Sequence, residues 1–151
     1  MAEKNWRQDF FTPRNPDKYI GDLKEIVYRS SWEKRFFEFC DETSSIKKWS
    51  SEPFPIQYWD ESTMKSRRYF PDAYMIVEDA LGNQKKYLVE IKPYKQTLPP
   101  KEGRKKTQTY LNECRTYQKN ESKWKFAKEF CRKNDLEFMI ITEYELGLAK
   151  R

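Results

Sequence analysis

Two hydrophobic periods run along this chain. In SWEKRFFEFCD, Ser31 to Asp41, the residues Trp32, Phe36, Phe39 and Cys40 recur at i, i+4, i+7 and i+8, which puts them on one face of an α-helix. Ser30, with Glu33 three residues later, matches a capping box at the start of that helix. Glu33 has a second reading, an acidic group that the helix delivers to a site elsewhere. Between Arg68 and Lys92 the sequence reads as a hairpin: Ala73–Val77 and Tyr87–Val89 are apolar enough for central strands. The turn falls at Asp79 to Gln84, where Gly82-Asn83 tolerates positive φ. Ile56 and Tyr58 alternate with Gln57 and Trp59, a further strand. LEFMIIT, Leu136 to Thr142, is a continuous apolar run and predicts a buried strand. Its return after helices would bring it into the sheet as a parallel or mixed strand.

Two helices are predicted between these strands. One spans about 105–119 with mixed polarity. The other runs from Ser122 to Lys133, with Trp124, Ala127 and Cys131 on one stripe and Phe126 and Phe130 beside it. Residues 50–55, 60–68 and the proline-rich stretch from Pro93 to Gly103 read as loops, and 143–151 as a short tail. Residues 29–151 therefore predict one α/β domain, a small mixed central sheet flanked by helices. Residues 1–28 read as an arm, interrupted by Pro13 and Pro16 and punctuated by Gly21-Asp22. The arm carries Trp6, Phe10, Phe11, Tyr19, Ile20, Ile26 and Tyr28, so it is expected to pack on the body or on a partner.

Composition narrows the chemistry. The chain has 151 residues, a net charge of +6 and no histidine. The missing histidine excludes Ser-His-Asp and Cys-His hydrolases and zinc enzymes built on histidine ligands. Acid–base work would fall to carboxylates, lysine, tyrosine or water on a metal. The basic balance favours an anionic partner, most often nucleic acid. Cys40, Cys114 and Cys131 are far apart and form no C-x-x-C, which predicts reduced thiols in helices. The N-terminus lacks a basic-then-apolar signal pattern, and no apolar run reaches transmembrane length, so no membrane role is expected.

Charge converges on the hairpin. Side chains alternate along a strand, so Glu90 and Lys92 share one face while Val89 and Ile91 take the other. If the hairpin pairs, Asp72 can lie near Glu90. Two carboxylates and an ammonium in one place are costly unless something compensates them, and a divalent cation with a phosphate would do so. The plain alternative is a surface ion pair between Glu90 and Lys92, worth little. Around the hairpin, Lys65, Arg67 and Arg68 would form one rim of a DNA cleft, and Lys101, Arg104, Lys105 and Lys106 another. Lys125 and Lys128 lie on the basic face of the second helix, which reads either as a grip on a phosphate backbone or as an ordinary solvated surface.

The order helix with Glu33, strands with Pro71-Asp72 and Glu90-x-Lys92, helices, strand resembles the PD-(D/E)xK nuclease superfamily. That resemblance implies a restriction-endonuclease-like core and phosphodiester hydrolysis. Asp72 and Glu90, with the Ile91 carbonyl and Glu33, would hold Mg2+, for which Mn2+ can substitute. Lys92 would orient water or stabilise charge in the transition state. The Q-x-x-x-Y element of RecB-type exonucleases is absent, since Gln108 is followed by Asn112 and Gln118 by Ser122. YRSSWEKRFFEFCD, IKKWSSEPFPI, RYFPDAYM, YLVEIKP and FMIITEYEL are similar to the TnsA-type transposon endonuclease N-terminal domain. The arm, FTPRNPDKYIGDLKEIVYRSSWE, extends a resemblance to the head-completion proteins of T-even-type tailed phages over nearly the whole chain. Together these imply a DNA endonuclease acting on packaged DNA at the portal vertex before tail attachment. Its partners would be DNA and the portal or neck proteins of the filled head. Its place would be the host cytoplasm during assembly and the head–neck of the virion. The competing expectation is a non-catalytic head-closing protein that retains DNA on an inherited nuclease fold.

Overall fold

The first helix and the hairpin form as read, except that Phe39 is exposed and Phe37 is buried with Trp32, Phe36 and Cys40 instead; the hairpin lies in one mixed sheet. The computed structural model describes residues 9–103 and 107–150. In chain order it contains β1 (Asp9–Phe10), β2 (Val27–Tyr28), α1 (Ser31–Glu42), β3 (Ile46–Ser51), β4 (Ile56–Asp60), β5 (Lys65–Tyr69), β6 (Ala73–Glu78), β7 (Gln84–Ile91), α2 (Gln108–Lys133) and β8 (Glu137–Ile141). The central sheet has the order β3-β6-β7-β8. β3 and β7 flank β6 antiparallel, and β8 runs parallel to β7 after the crossover through α2.

The pleat divides the core in two. Val89 and Ile91 face α1 and pack with Trp32, Phe36, Phe37 and Cys40. Leu88 faces the other way and packs with Trp124, Ala127 and Cys131 of α2. Glu90, two residues beyond Leu88, therefore starts from the α2 side of the sheet. Burial holds Cys40 and Cys131 as thiols: it pushes the Cys40 pKa up, and that of Cys131 up to about 11.

Residues 11–28 share the α1 core. Phe11, Ile26 and Tyr28 are buried there, and Tyr19 meets Trp49 edge-on at 4.7 Å between ring centroids. Lys18 Nζ donates to the carbonyls of Cys40, Asp41 and Thr43 at 2.6, 2.9 and 2.9 Å, which satisfies the end of α1 with a cation. The Asp41 carboxylate accepts from the backbone N–H groups of Arg14 and Asn15 at 2.8 and 2.9 Å.

Four expectations change. Residues 60–68 are not a loop: β4 and β5 form a second hairpin, with Ile56 opposite Tyr69 and Asp60 opposite Lys65. Ser50 and Ser51 end β3 rather than opening a loop. β3 itself was hidden because a register shift between Ile46 and Lys48 breaks its alternation. The two helices predicted after Gly103 are one, α2, with no Gly or Pro to interrupt it. Ser122, where the second helix was expected to start, lies inside α2 and donates to the Trp59 carbonyl at 2.6 Å.

Asp60 fixes the turn of the β4–β5 hairpin. Its carboxylate accepts from Ser62 N and Oγ, Thr63 Oγ1 and Arg67 Nε at 2.6–3.1 Å. The Ser62 hydroxyl, chiefly, brings its pKa down to about 2. A carboxyl that ionises below its unfolded value of ~3.9 stabilises the fold above about pH 4, and that contribution is lost as pH falls toward ~2. Asp60→Asn should therefore show a smaller drop in thermal midpoint than wild type across that acid window.

Candidate active site

The last ladder pair of β6 and β7 is Ala73 with Val89, so one further step sets Asp72 across from Glu90. Asp72 Oδ2 accepts a hydrogen bond from the Ile91 backbone N–H at 2.7 Å. N–H and C=O of one residue leave a strand on the same edge, so the Ile91 carbonyl lies on the Asp72 edge. On the other edge, Lys92 N–H donates to the Ile141 carbonyl at 3.0 Å, which holds β7 straight past its end. Pro71, fully buried before Asp72, has no N–H in need of an acceptor, and the Asp72 carbonyl accepts from Glu52 N–H at 3.1 Å.

Glu90 is buried, and two neighbours fix its carboxylate. Tyr69 OH donates to Oε2. Lys92 Nζ, half-buried, lies 3.8 Å from Oε1. Burial, then the Glu90 charge, pushes the Tyr69 pKa far above the usual phenol range. The phenol therefore stays protonated and remains a donor to Glu90 at any working pH.

A second cation completes the cluster. Lys123 of α2 lies over the rings of Tyr58 and Tyr69, with Nζ 5.8 and 5.6 Å from their centroids. Burial lowers its pKa most. Repulsion from Lys92 and Lys119 adds to that, against the attraction of Glu90 and Asp72. The composition of the site is thus two carboxylates, a strand carbonyl and two ammoniums. Hard oxygen donors of this kind suit Mg2+, which needs only one or two protein carboxylates and takes waters and phosphate oxygens for the rest.

The other expected residues distribute unevenly. Glu33 is buried at the start of α1, where its carboxylate accepts from Ser30 Oγ at 3.0 Å. Among the described residues no three acidic, cysteine or histidine side chains form a group able to cage a metal. The hydrogen bond from Ile91 N–H to Asp72 joins the two strand ends that carry Glu90 and Lys92. Arg67 is tied to Asp60 at 2.9 Å, and Arg68 stacks 5.7 Å from the Phe70 centroid. Lys65 and Lys101 are exposed, at the start of β5 and in the loop after β7. Arg104, Lys105 and Lys106 lie outside the described residues. Lys125 and Lys128 are exposed and line a groove that also contains Glu61, Glu121 and Glu129. The groove on the other flank of β4–β5 is lined by Arg67, Arg68, Lys119 and Lys123 with no carboxylate.

Sequence reasoning singled out neither Tyr69 nor Lys123 as a site residue. A signal existed for Lys123: it stands four residues before Ala127 and three after Asn120, both buried, so it belongs to the inward row of α2. Tyr69 gave no such signal, because residues 60–68 read as a loop and left it without a face.

Comparison with known proteins adds two findings. Residues 43–143 match the family model described as TnsA-like endonuclease N terminal. The chain is also similar to the head completion nuclease of Enterobacteria phage T4, with 40% identity over 137 residues that cover 88% of this chain and 89% of the relative.

Proposed function

The chain belongs to the TnsA-like endonuclease N-terminal family, and on that premise we propose that it is a metal-dependent DNA endonuclease of phage head completion. The observation that carries the reading is the hydrogen bond from Ile91 N–H to Asp72, one residue from both Glu90 and Lys92. It ties two carboxylates and a lysine to a pair of strand ends, rigid elements on which a site can keep its geometry. Asp72, Glu90 and the Ile91 carbonyl would hold Mg2+, or Mn2+ in its place. Such a metal supplies a Lewis acid and a water of low pKa. Tyr69, always a donor, keeps one Glu90 oxygen occupied and so fixes which oxygen faces the cleft. Lys92 sets a fixed positive charge where charge builds on the phosphate. Glu33 would add an acidic group from α1, orienting the metal's surroundings.

The place in assembly rests on the likeness to the T4 protein, named for nuclease activity in head completion. The substrate would be the packaged DNA at the portal vertex before tail attachment. Portal or neck proteins of the filled head would be the partners, met in the host cytoplasm and at the head–neck of the virion. Among the described residues no helix is long and apolar enough to cross a membrane.

The purified protein should cleave DNA in Mg2+, stop when a chelator is added, and resume when Mg2+ or Mn2+ is restored. Cleavage that continues unchanged in excess chelator would overturn the metal requirement.

A further inference from the structure

The structure assigns a phosphate-binding role to Lys123: we propose that its ammonium holds a non-bridging phosphate oxygen of the strand being cut, with Lys119 one helical turn away on the next phosphate. The inference rests on the nuclease reading of Asp72, Glu90 and Lys92, and extends it to the path of the DNA.

Lys123 differs from the other cations of α2. Arg132 and Lys133 are neutralised by Glu129 at 2.6 and 3.8 Å. Lys125 and Lys128 are exposed beside a groove of mixed sign. Lys123 is half-buried, is stacked on two tyrosines and makes no ion pair among the described residues. Withdrawing an ammonium from water is unfavourable, and repulsion from Lys92 and Lys119 is set here against attraction by Glu90 and Asp72. One of the two rings beneath it belongs to Tyr69, which also bonds Glu90. The ammonium is therefore anchored next to the carboxylates without being consumed by them. Among the described residues no carboxylate lies within ion-pair distance of the Lys123 ammonium, and a phosphodiester is the anion that fits beside it. The groove leading away along Lys119 and Arg68 has no carboxylate in its lining, its Arg67 being paired to Asp60 behind it, and an excess of positive charge there attracts an anionic strand.

Lys123→Met keeps the aliphatic stem over the rings and removes the charge. Binding of a fluorescein-labelled duplex oligonucleotide, followed by anisotropy in chelator across a salt series, reads the number of phosphate contacts. Lys123→Met should flatten the slope of log affinity against log salt by about 0.9, as should Lys119→Met, while Lys123→Arg keeps the wild-type slope. A purely structural lysine would leave that slope unchanged, so wild-type slopes in Lys123→Met, with an unaltered unfolding midpoint, overturn the proposal. If Lys123→Met unfolds, the exposed Lys119→Met decides in the same way. Asp72→Ala run in parallel keeps the two readings apart. If it cleaves like wild type, the catalytic reading falls, and the salt slopes still decide Lys123.

Discussion

Lys92→Ala should lower the rate of DNA cleavage by about 10²- to 10³-fold, the usual effect of removing one preorganised charge from a site where charge develops. The fold should survive. Lys92 Nζ is 3.8 Å from Glu90 with its side chain 26% exposed, and a partly solvated ion pair of this length adds little stability. Glu90 keeps the Tyr69 hydrogen bond when the lysine is gone, so the buried carboxylate is not left bare. Lys92→Arg restores charge but not the compact ammonium, and an intermediate rate is expected. Cleavage time courses, together with urea unfolding of each variant, check both halves. A fall in rate that tracks a fall in stability would instead make Lys92 a structural residue.

Trp49→Ala should destabilise the protein by about 3–5 kcal/mol, the range for removing a large ring from a filled core. Natural domains are stable by only about 5–15 kcal/mol, so much of the folded population would be lost at 37 °C. Trp49 is fully buried and joins three parts of the chain. Its ring centroid lies 5.8 Å from Phe11, 4.7 Å from Tyr19 and 5.2 Å from Phe37. Arm, helix and sheet therefore share one core at this residue. Truncating residues 1–20, which removes Phe11, Lys18 and Tyr19, should damage the fold along with any docking. Among the described residues the Trp49 indole N–H has no hydrogen-bond partner, so Trp49→Phe, which removes that donor, should cost less than Trp49→Ala. Denaturant titration of both variants tests the order.

What the sequence made legible follows from where local pattern and tertiary structure agree. α1 could be read because Trp32, Phe36 and Cys40 are all buried on one side. The β6–β7 hairpin could be read because its turn chemistry is explicit: Asp79 Oδ1 accepts from the N–H groups of Leu81 and Asn83, and Gly82 takes φ 84°. The Asp72, Glu90 and Lys92 juxtaposition came from that hairpin alone. β5 was hidden because four of its five residues, Lys65 to Arg68, are exposed and three are basic, so nothing apolar marks a strand. Pairing with β4 and the Asp60 contacts create it, and both depend on residues distant in sequence or on a turn. The two-residue strands β1 and β2 are too short for any period to show. Lys123 illustrates a different limit: four cations cluster between 123 and 132, and only the rotation of α2 against the β4–β5 hairpin selects the one that meets Tyr58 and Tyr69.

The most direct test of the account is cleavage of supercoiled plasmid in Mg2+ by wild-type protein and Asp72→Ala, purified side by side and matched in unfolding midpoint. Wild-type protein should give nicked and linear product and Asp72→Ala none. Equal cleavage by both would contradict it, and the absence of product from a folded wild type would leave a head-closing protein that retains DNA as the reading of this fold.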